Sequence, residues 1–575
     1  MAGVEAAAWI VLGRTDGGAI GVPLDSTGEE LGRHRIPDAE LSSWVAAQES
    51  SLAPRWVWND APQWYPRLLS DGVRVARCHD LRLSHAILSD SVLVDGSAAV
   101  RGAHEWDAAP YDDDAAPPAL FELDGAARPS GPPSDVDSAL SEFARQRDAM
   151  AGGREPGRLR LLTAAESAGA LIACELRAAG LPWDAAAHDR ILVRMLGERP
   201  AGGGPPAKLA EAAARVRAAL GDPTASLDSQ PKLLRSLHRA GVLVQSTSRW
   251  ELAEQRHPVI EPLLEYKKLS RLLSANGWTW LADWVEDGRF RPVYIPGGVV
   301  TGRWASSGGG ALQLPRQLRE AVRADPGWRL VVADVAQLEP RVLAAMSRDT
   351  ALAAAARGRD LYAGIVDSGA VATRQEAKIA LLGAMYGATT GESGRLVPRL
   401  RRAYPRAMGL VDDAARTGED GGVVSTWLGR TSPPPSPSWA AAQSRATEAE
   451  ASGVDETQAR RSARDRGRFT RNFVVQGTAA EWALAWLADL RTRLAAIAPV
   501  ATADAAPRSG PAFARQPHLA LFLHDEVIVH TPDEHAEVVA QAVTDAAAAA
   551  GRLLFGDFPL DFPLDVRVGD TALKD

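Results

Sequence analysis

The sequence predicts an α/β protein of several domains, in which a helical region separates two regions that contain strands. Its 575 residues are too many for one hydrophobic core, since a domain usually holds about 100 to 200 residues. Short apolar runs with β-branched residues, such as Val331 and Val332, predict strands. Apolar residues at intervals of three and four, between 159 and 276, predict a series of helices. No apolar run approaches the ~20 residues that span a bilayer, so we expect no contact with a membrane.

Cysteine content and charge indicate the cellular compartment of the protein and the kind of ligand that it binds. Two cysteines, Cys78 and Cys174, cannot form a disulfide framework, and the N-terminus lacks a basic segment followed by an apolar core, so we expect a cytoplasmic protein. Residues 1–150 carry 12 arginines, no lysine and 24 acidic residues, whereas the whole chain has a net charge of -8. The remainder is therefore net positive, and we expect a polyanion to bind there and to be repelled by the first 150 residues.

Composition also predicts the order of the elements. Apolar runs alternating with acidic connectors predict an α/β lobe over residues 1–150, with a proline-rich loop or linker over 111–133. Strand-like composition returns at 289–300, after the helices. The prolines, alanines, serines and glutamates of residues 431–457 predict a disordered insertion. A further helix is predicted from 470 to 494.

The chain is organised around the stretch from Arg329 to Arg341. An apolar run predicts a buried strand that ends at Asp334. Pro340 fits only the first turn of a helix, so Glu339 and Pro340 mark a helix start. Taken alone, an aspartate at a strand end is more often a turn residue or a helix cap than a metal ligand.

A second carboxylate follows a later apolar run. Asp525 lies at the tip of a predicted hairpin, between the apolar run 519–523 and the β-branched run 527–529. Asp334 and Asp525, converging at one end of a sheet, would suit two divalent ions that assist an in-line phosphoryl displacement. Oxygen ligands favour Mg²⁺ or Mn²⁺ over zinc. The alternative is an ordinary polar hairpin tip.

Four side chains follow one another at steps of four residues along a third segment. On a helix, Arg374, Lys378, Leu382 and Tyr386 form one stripe about 18 Å long, cationic at one end and apolar and aromatic at the other. A nucleoside triphosphate could lie along it, with its phosphates on the cationic end. The alternative is an amphipathic helix with a basic end.

A fourth segment presents Arg468, Asn472 and Gln476 at the same spacing. One helical face then carries a guanidinium and two amides, which suits phosphate and minor-groove contacts to a nucleic-acid duplex. A solvated polar face is the alternative.

Together these segments resemble the family A DNA polymerases, the group of bacterial DNA polymerase I, over roughly residues 160–575. Residues 334–341 are similar to motif A, 374–387 to motif B and 524–526 to motif C. Residues 468–480 are similar to the template–primer helix, Thr301-Gly302-Arg303 to the segment before the palm, and 246–248 with 265–267 to parts of the thumb. Six motifs in the family's order make the resemblance specific.

The resemblance implies a role for each matching residue. Asp334 and Asp525 would bind two Mg²⁺ ions, with Mn²⁺ as an alternative and the Val335 carbonyl as a further ligand, and Lys378 would complete the catalytic set. The implied nucleotide-binding residues are Arg374, Lys378, Leu382, Tyr386, Gln337, Glu339 and His524. The implied DNA-binding residues are Thr301, Arg303, Arg468, Asn472, Gln476 and Glu526.

Several positions depart from the family pattern. Val335 and Ala336 replace Tyr and Ser, and Pro340 replaces a usual Leu. Leu382 stands where the family has an aromatic residue, which bears on base stacking and nucleotide selection. The insertion over 431–457 has no counterpart.

The implied fold is an α/β multidomain right-hand polymerase, with an antiparallel palm sheet and helical fingers and thumb, preceded by a ribonuclease H-like lobe of the exonuclease type. The implied domains are a degenerate 3′-5′ exonuclease-like lobe over 1–150, a thumb over 158–290, palm over 291–370 and 471–575, and fingers over 371–470. The lobe is expected to be inactive because no Asp-x-Glu pair lies on an early strand, and a 5′-nuclease domain is expected to be absent.

The implied function is template-directed DNA synthesis in replication or repair, by a monomer that binds primer–template DNA and deoxynucleoside triphosphates in the cytoplasm, associated with the nucleoid. A non-catalytic DNA-binding scaffold and an enzyme similar to single-subunit RNA polymerases are the alternatives. Intact Asp334, Lys378 and Asp525 argue against a scaffold, which needs no phosphoryl-transfer residues.

Overall fold

The structure is a computed structural model that describes residues 7–109, 131–310, 314–358, 360–387, 391–448 and 451–573. The chain forms two compact units. The first comprises Met1–Gly180, Pro292–Leu312 and Asp325–Asp570, and the second comprises Leu181–Arg291, Gln313–Ala324 and Thr571–Asp575.

The first unit begins with an α/β lobe, as predicted. Its strands and helices are β1 (Trp9–Thr15), β2 (Gly18–Leu24), β3 (His34–Pro37), α1 (Leu41–Leu52), β4 (Arg55–Trp58), α2 (Ala61–Ser70), β5 (Arg77–Asp80), α3 (Leu81–Leu88) and α4 (Val136–Gly152). The strand order is β3-β2-β1-β4-β5; β1, β2 and β3 pair antiparallel, whereas β4 and β5 run parallel to β1. Large side chains, among them Trp56, Trp58 and Trp64, fill its core. Most of the predicted linker over 111–133 lies outside the described residues.

Helix α5 (Pro156–Ala179) follows, and it packs in the first unit although the sequence placed it at the start of the thumb. Its apolar residues Ala170, Leu171 and Ala179 belong to the core of the N-terminal lobe.

The second unit is mainly helical. Its elements are β6 (Leu181–Pro182), α6 (Ala185–Leu196), α7 (Ala207–Leu220), α8 (Gln230–Arg239), α9 (Arg249–Ala253), α10 (Ile260–Asn276), α11 (Trp278–Trp284), β7 (Val285–Glu286) and β8 (Arg289–Phe290). Trp183, His188, Trp280 and Phe290 pack ring against ring, with centroids 4.9 to 5.7 Å apart.

The rest of the first unit contains a four-stranded antiparallel sheet of order β12-β13-β11-β14. These strands are β11 (Trp328–Val335), β12 (His518–Leu523), β13 (Glu526–Pro532) and β14 (Leu564–Gly569). A separate pair is formed by β9 (Val293–Ile295) and β10 (Ala305–Gly308). The strand before Asp334 and the later hairpin are therefore as predicted.

Nine further helices belong to the described part of the first unit. They are α12 (Leu338–Ser347), α13 (Thr350–Ala355), α14 (Leu361–Asp367), α15 (Arg374–Tyr386), α16 (Gly391–Ala403), α17 (Pro405–Glu419), α18 (Pro437–Ala446), α19 (Gly453–Ala495) and α20 (Ala536–Phe555). Pro340 is the third residue of α12, as its missing N–H requires.

The disorder predicted for residues 431–457 is wrong for the part of it that the structure describes. Ser436 caps α18 through its hydroxyl, which accepts from the Trp439 N–H, and Pro437 occupies the first helical position. Ser452 and Asp455 form a capping box that begins α19, seventeen residues before the predicted start at Thr470. The prediction from low-complexity composition therefore missed two helix starts.

One described helix, Asp533–Phe555, is long and apolar enough to cross a membrane by length and composition, and the sequence analysis did not single it out. Half of its most apolar window is buried. Val539 and Val543 are fully buried, and the indole of Trp486 on α19 donates a hydrogen bond to the Val543 carbonyl at 3.1 Å. Packing against the protein core accounts for this apolar character.

Candidate active site

Asp334 and Asp525 lie at the same end of neighbouring strands. β11 pairs antiparallel with β13 in a register that places Asp334 opposite Glu526. One residue further, the Val335 N–H donates a hydrogen bond to the Asp525 carbonyl at 2.9 Å. Both aspartates are partly exposed, whereas Glu526 is 3% exposed. The two carboxylates predicted to act together therefore share one edge of the sheet.

His524 forms the turn between β12 and β13, and its backbone is left-handed, with φ of +59°. Burial and the nearby Arg303 guanidinium lower the pKa of His524, against the opposing effect of Glu339. The lowered pKa favours the neutral ring, in which one nitrogen can donate and the other accept a hydrogen bond.

The junction between β11 and α12 places Glu339 above the strand end. Gln337 precedes the helix in a left-handed conformation, with φ of +48°. Its side-chain oxygen accepts a hydrogen bond from the Leu361 N–H at 3.3 Å. Glu339 follows in the first turn, where the helix dipole favours a carboxylate.

Arg341 stabilises the junction between β11 and α12 through hydrogen bonds to the backbone. The sequence analysis missed this role. Its buried guanidinium donates to four carbonyls: Ala336 at 2.9 Å, Ala356 at 2.6 Å, Asp561 at 3.0 Å and Gly358 at 2.9 Å. The signal in the sequence is an arginine within the otherwise apolar segment after Pro340. Because a guanidinium has five N–H donors, this one side chain holds segments that are far apart in the chain.

Four predicted residues meet in one polar cluster. The Tyr386 hydroxyl, at the end of α15, donates to the Glu339 carboxylate. Arg303 donates to the side-chain oxygen of Gln476 on α19 and lies 3.9 Å from Glu339. Burial and the bond to Glu339 raise the pKa of Tyr386, so its hydroxyl remains a donor across the physiological range. Motif B, motif A and the template–primer helix are thus joined directly.

These residues line a cleft of about 270 Å³. Small side chains of α19, Ala479, Ala480 and Ala483, leave room in it, and Trp304 and Phe522 form an aromatic wall with ring centroids 5.1 Å apart. The predicted site residues that line the cleft are Arg303, Gln337, Glu339, Tyr386, Gln476, His524 and Asp525.

The other members of the α15 stripe lie along the helix outside this lining. Arg374 donates to Asp360 at 2.6 Å and its guanidinium lies 5.5 Å from the centre of the Tyr362 ring. Lys378 is exposed and has no ion pair within the residues described. Leu382 is half-buried. The stripe is intact as a helical face, with one of its two cations engaged by an acid.

Of the three predicted residues on α19, Gln476 lines the cleft, and Asn472 lies one turn before it. Gly477 lies against the chain at Thr301, since a Cβ on Gly477 would come within 3.1 Å of the Thr301 carbonyl. The side-chain oxygen of Asn472 and the Thr301 hydroxyl are both buried, and neither has a hydrogen-bond partner among the described residues. Arg468 is exposed and pairs with Asp465. A ligand with polar edges could satisfy the two buried groups.

A second layer supports the loop that carries Arg303. The Arg430 guanidinium pairs with Glu166, and a Cβ on Gly302 would lie 2.5 Å from Arg430 Nε, so the loop fits only with glycine there. Glu481 accepts a hydrogen bond from the Leu428 N–H at 2.9 Å, and burial raises the pKa of Glu481 to about 7. No sequence pattern had indicated Glu166, Arg430 or Glu481.

Asp334 and Asp525 are the residues that could hold a metal here. Within the described ranges, no three His, Cys, Asp or Glu side chains form a metal-binding group. Two carboxylates at one strand end nevertheless fit hard divalent ions, which also take backbone carbonyls, water and phosphate oxygens as ligands. The donor set thus fits divalent metal ions.

This fold and this arrangement of residues are those that the sequence predicts for the palm of a polymerase. Residues 232–572 match the family model described as "DNA polymerase family A", and the chain belongs to that family. The predicted family and fold class are confirmed.

Proteins of similar sequence support this assignment to the family. "DNA polymerase I, thermostable" of Thermus filiformis is 27% identical over 361 residues, which cover 56% of this chain and 37% of that protein. DNA polymerase I of Chloroflexus aurantiacus is 29% identical over 368 residues, covering 59% and 35%. The chain thus spans just over a third of the length of these curated relatives.

A solved structure, "POL domain of Pol1 from M. smegmatis complex with DNA primer-template and dNTP", has a TM-score of 0.65 to this chain. It is 18% identical and covers 99% of this chain and 96% of its own. This likeness shows the fold, and it includes the N-terminal lobe.

Proposed function

We propose that this protein is a template-directed DNA polymerase that adds deoxynucleoside triphosphates to a primer 3′-hydroxyl, in replication or repair. The observation that carries the proposal is the strand register that brings Asp334 and Asp525 together, joined by the 2.9 Å bond between Val335 and Asp525. The family relation supports the same reaction class. The mycobacterial neighbour is described in complex with primer–template DNA and dNTP, the ligands that we propose here.

The carboxylates act at the reacting phosphate. Family A polymerases use divalent metal ions, and Asp334, Asp525 and the Val335 carbonyl would hold two of them, Mg²⁺ in this proposal with Mn²⁺ as an alternative. When bound, such ions neutralise charge on the attacking and leaving oxygens of an in-line displacement. The fixed β11–β13 register keeps the two side chains at a constant separation, which such a site requires.

The nucleotide lies along α15 in this proposal. Lys378, exposed and without an ion pair among the described residues, binds the triphosphate, and Arg374 assists once its guanidinium turns from Asp360. Leu382 and Tyr386 meet the base and sugar, and Gln337 and His524 approach the nucleotide from the palm.

Glu339 selects the sugar. Its carboxylate is held in the cleft by the Tyr386 hydroxyl, next to Arg303. A fixed carboxylate at this point leaves no room for a 2′-hydroxyl and favours deoxynucleotides.

The proposed primer–template contacts come from α19 and from the segment around Arg303. Arg303 and Arg468 contact phosphates, while Asn472 and Gln476 face the minor groove. Thr301, whose carbonyl lies against Gly477, and Glu526, which lies opposite Asp334 on β13, would support the primer end. The unpartnered side-chain oxygen of Asn472 suits the amino group of a guanine, the one donor that the minor groove presents.

The proposed domain roles are thumb over 158–290, palm over 291–370 and 471–575, and fingers over 371–470, except that α5 packs in the first unit and is left out of the thumb. A cytoplasmic monomer is proposed with them.

The N-terminal lobe is proposed to lack 3′-5′ exonuclease activity. Its central strand β1 (Trp9–Thr15) contains no acidic residue. The charged side chain on it, Arg14, stacks on Trp64 at 4.2 Å and bonds to the Gln63 carbonyl. A cation at this place does not hold a divalent ion. A primer with a mismatched end should therefore stay intact without dNTPs, and excision lost on deleting residues 1–150 would refute this.

Primer extension in Mg²⁺ tests the polymerase assignment. Asp334→Asn and Asp525→Asn keep the size of the side chains and should abolish extension while duplex binding survives. Asp533→Asn is a matched control, because Asp533 lies at the opposite end of the same hairpin and pairs with Arg329 on the surface. Normal extension by either site variant would reject the assignment, and equal use of ribonucleotides by the unmodified protein would favour the RNA polymerase alternative.

A further inference from the structure

The Tyr294 hydroxyl makes two hydrogen bonds to the backbone of a residue 228 positions later in the chain. It donates to the Phe522 carbonyl at 2.8 Å and accepts from the Phe522 N–H at 3.3 Å. Both side chains are buried. One hydroxyl thus satisfies both backbone groups of a single residue, which lies just before His524 and Asp525 in the sequence.

Phe522 lies on the outer edge of the four-stranded sheet. Its strand, β12, is an end strand of that sheet, with β13 as its neighbour. In an antiparallel strand the N–H and the C=O of one residue point to the same side. Since both groups of Phe522 reach Tyr294, they point away from β13, toward the edge of the sheet. Tyr294 therefore takes the place of a neighbouring strand at this residue and satisfies two buried groups that would be costly to leave unpaired.

The two bonds lie close to the turn that presents Asp525. β12 pairs regularly with β13 from Leu521 to Leu523, but its register shifts between Leu519 and Leu521. Only this short paired segment separates the irregularity from the turn. Because Phe522 is the middle residue of the segment, a contact that fixes its backbone also restricts movement of the turn.

Tyr294 also belongs to the strand pair that carries the Arg303 loop. It lies on β9 and pairs with Ser306 of β10. Trp304, next to Arg303, packs edge-on against both rings, with centroids 5.3 Å from Tyr294 and 5.1 Å from Phe522. Burial raises the pKa of Tyr294, so its hydroxyl keeps its proton and remains a donor.

We propose that Tyr294 is a positioning residue for the metal-binding end of the sheet: its hydroxyl fixes the backbone of Phe522 and, through it, the position of Asp525. This inference rests on the proposed polymerase function and adds to it a residue outside the lining of the cleft. Contacts behind the ligands of a metal site commonly change metal affinity or activity by about 10- to 100-fold, because they orient the ligands. The same contact keeps the proposed metal ligand and the Arg303 loop in one relative position.

The test is the affinity of the full chain for Mn²⁺ alone, without DNA or nucleotide. Electron paramagnetic resonance of the free ion measures this affinity, so the result does not depend on activity. Tyr294→Phe removes the hydroxyl and keeps the ring, and it should raise the Mn²⁺ dissociation constant by about 10-fold. In an Asp525→Asn background the same substitution should have no further effect, because the carboxylate that Tyr294 positions is gone.

Tyr404→Phe is the matched control. Tyr404 is buried between α16 and α17, its hydroxyl lies 2.7 Å from that of Ser368, and it is outside the cleft lining. Both variants lose a buried, hydrogen-bonded hydroxyl and should be less stable in a denaturant titration, whereas only Tyr294→Phe should weaken Mn²⁺ binding. An unchanged dissociation constant in Tyr294→Phe would overturn the proposal, as would an equal rise in Tyr404→Phe or the same rise with and without the Asp525 carboxylate.

Amide hydrogen exchange in the unmodified protein is a second measurement, which does not require a variant to fold. The Phe522 N–H should exchange slowly, and exchange at the rate of an exposed amide would also overturn the proposal. Primer extension keeps this inference apart from the proposed function. If the unmodified protein does not extend a primer, the polymerase function is rejected, while the Mn²⁺ titration still decides whether Tyr294 acts on the site of Asp525.

Discussion

The Tyr386 hydroxyl donates a hydrogen bond to the carboxylate of Glu339, and this bond joins the end of α15 to the first turn of α12. The two residues come from separate motifs, and both line the cleft. The bond therefore couples the helix proposed to hold the nucleotide to the residue proposed to exclude a ribose.

Replacing Glu339 by alanine should weaken sugar discrimination. Loss of a charged hydrogen-bonding group of this kind corresponds to about 2 kcal/mol, or roughly 30-fold in the ratio of kcat/KM for dNTP to that for rNTP. Tyr386→Phe removes only the donor and should reduce the ratio less. Single-turnover incorporation measures both ratios, and a ratio unchanged in Glu339→Ala would contradict the assigned role.

The pKa of His524 should respond to Arg303. Burial lowers that pKa first, and the positive charge of Arg303 lowers it further. Arg303→Gln should therefore raise the pKa of His524 toward its ordinary value near 6.5, so that the ring becomes protonated at a higher pH. NMR titration of labelled histidine, with His524→Gln to assign the signal, measures the change.

Arg316→Gln is the control for this titration, because Arg316 is an exposed arginine outside the cleft lining. It should leave the pKa of His524 where it is. A His524 pKa that stays the same in Arg303→Gln would show that burial alone causes the shift.

Arg341→Lys should destabilise the protein although it keeps the charge. A lysine cannot reach the four carbonyls that the guanidinium now satisfies, and each buried acceptor left unpaired costs about 1 to 3 kcal/mol. We expect a loss of several kcal/mol in the free energy of unfolding, measured by denaturant titration. Arg416→Lys, at an exposed pair with Asp413, should change it by less than about 0.5 kcal/mol. Equal stability of the two variants would contradict the structure at this junction.

Glu175 and Arg491 form a buried pair that should show strong coupling. The Arg491 guanidinium bonds both Glu175 oxygens, at 2.7 to 3.0 Å, and also the Tyr65 hydroxyl. Burial alone would raise the pKa of Glu175, but Arg491 and Arg74 outweigh it and lower that pKa to about 2. Glu175→Gln leaves a buried cation without its counter-charge, which costs about 3 to 5 kcal/mol.

The double variant Glu175→Gln with Arg491→Gln should recover part of that loss in a double-mutant cycle. Because the folded-state pKa of Glu175 lies below the unfolded value of about 4.5, the pair stabilises the protein above pH 4.5, and this contribution disappears as the pH falls toward 2. Additive effects of the two substitutions would rule out the coupling.

The parts of the fold that the sequence predicts are those coded locally. The strand ending at Asp334, the helix start at Pro340 and the hairpin around Asp525 follow from β-branched runs, proline geometry and a polar tip. The interaction of Glu339 with Tyr386 depends on how two helices pack, and no spacing in the sequence encodes it. Arg341 was missed because its acceptors are backbone carbonyls, which every residue has.

The helices α18 and α19 show a different limit. Their starts depend on single capping residues, Ser436 and Ser452, within a stretch whose overall composition is that of disordered chain. A prediction from the average composition of a segment does not detect such single capping residues. The supporting pair Glu166 and Arg430 is 264 residues apart, a separation at which one sequence gives no indication of contact.

Helix α19 is long enough to connect the cleft with the N-terminal lobe. Its 43 residues make a rod of about 64 Å, with the exposed Arg461 near one end, the cleft at its middle and Arg491 near the other end. Arg491 donates hydrogen bonds to the carbonyls of Val75 and Ala76 in the lobe, so the lobe fixes this end of α19. Through these bonds the lobe holds one end of the helix that lines the cleft, a structural role that needs no catalytic residue in the lobe.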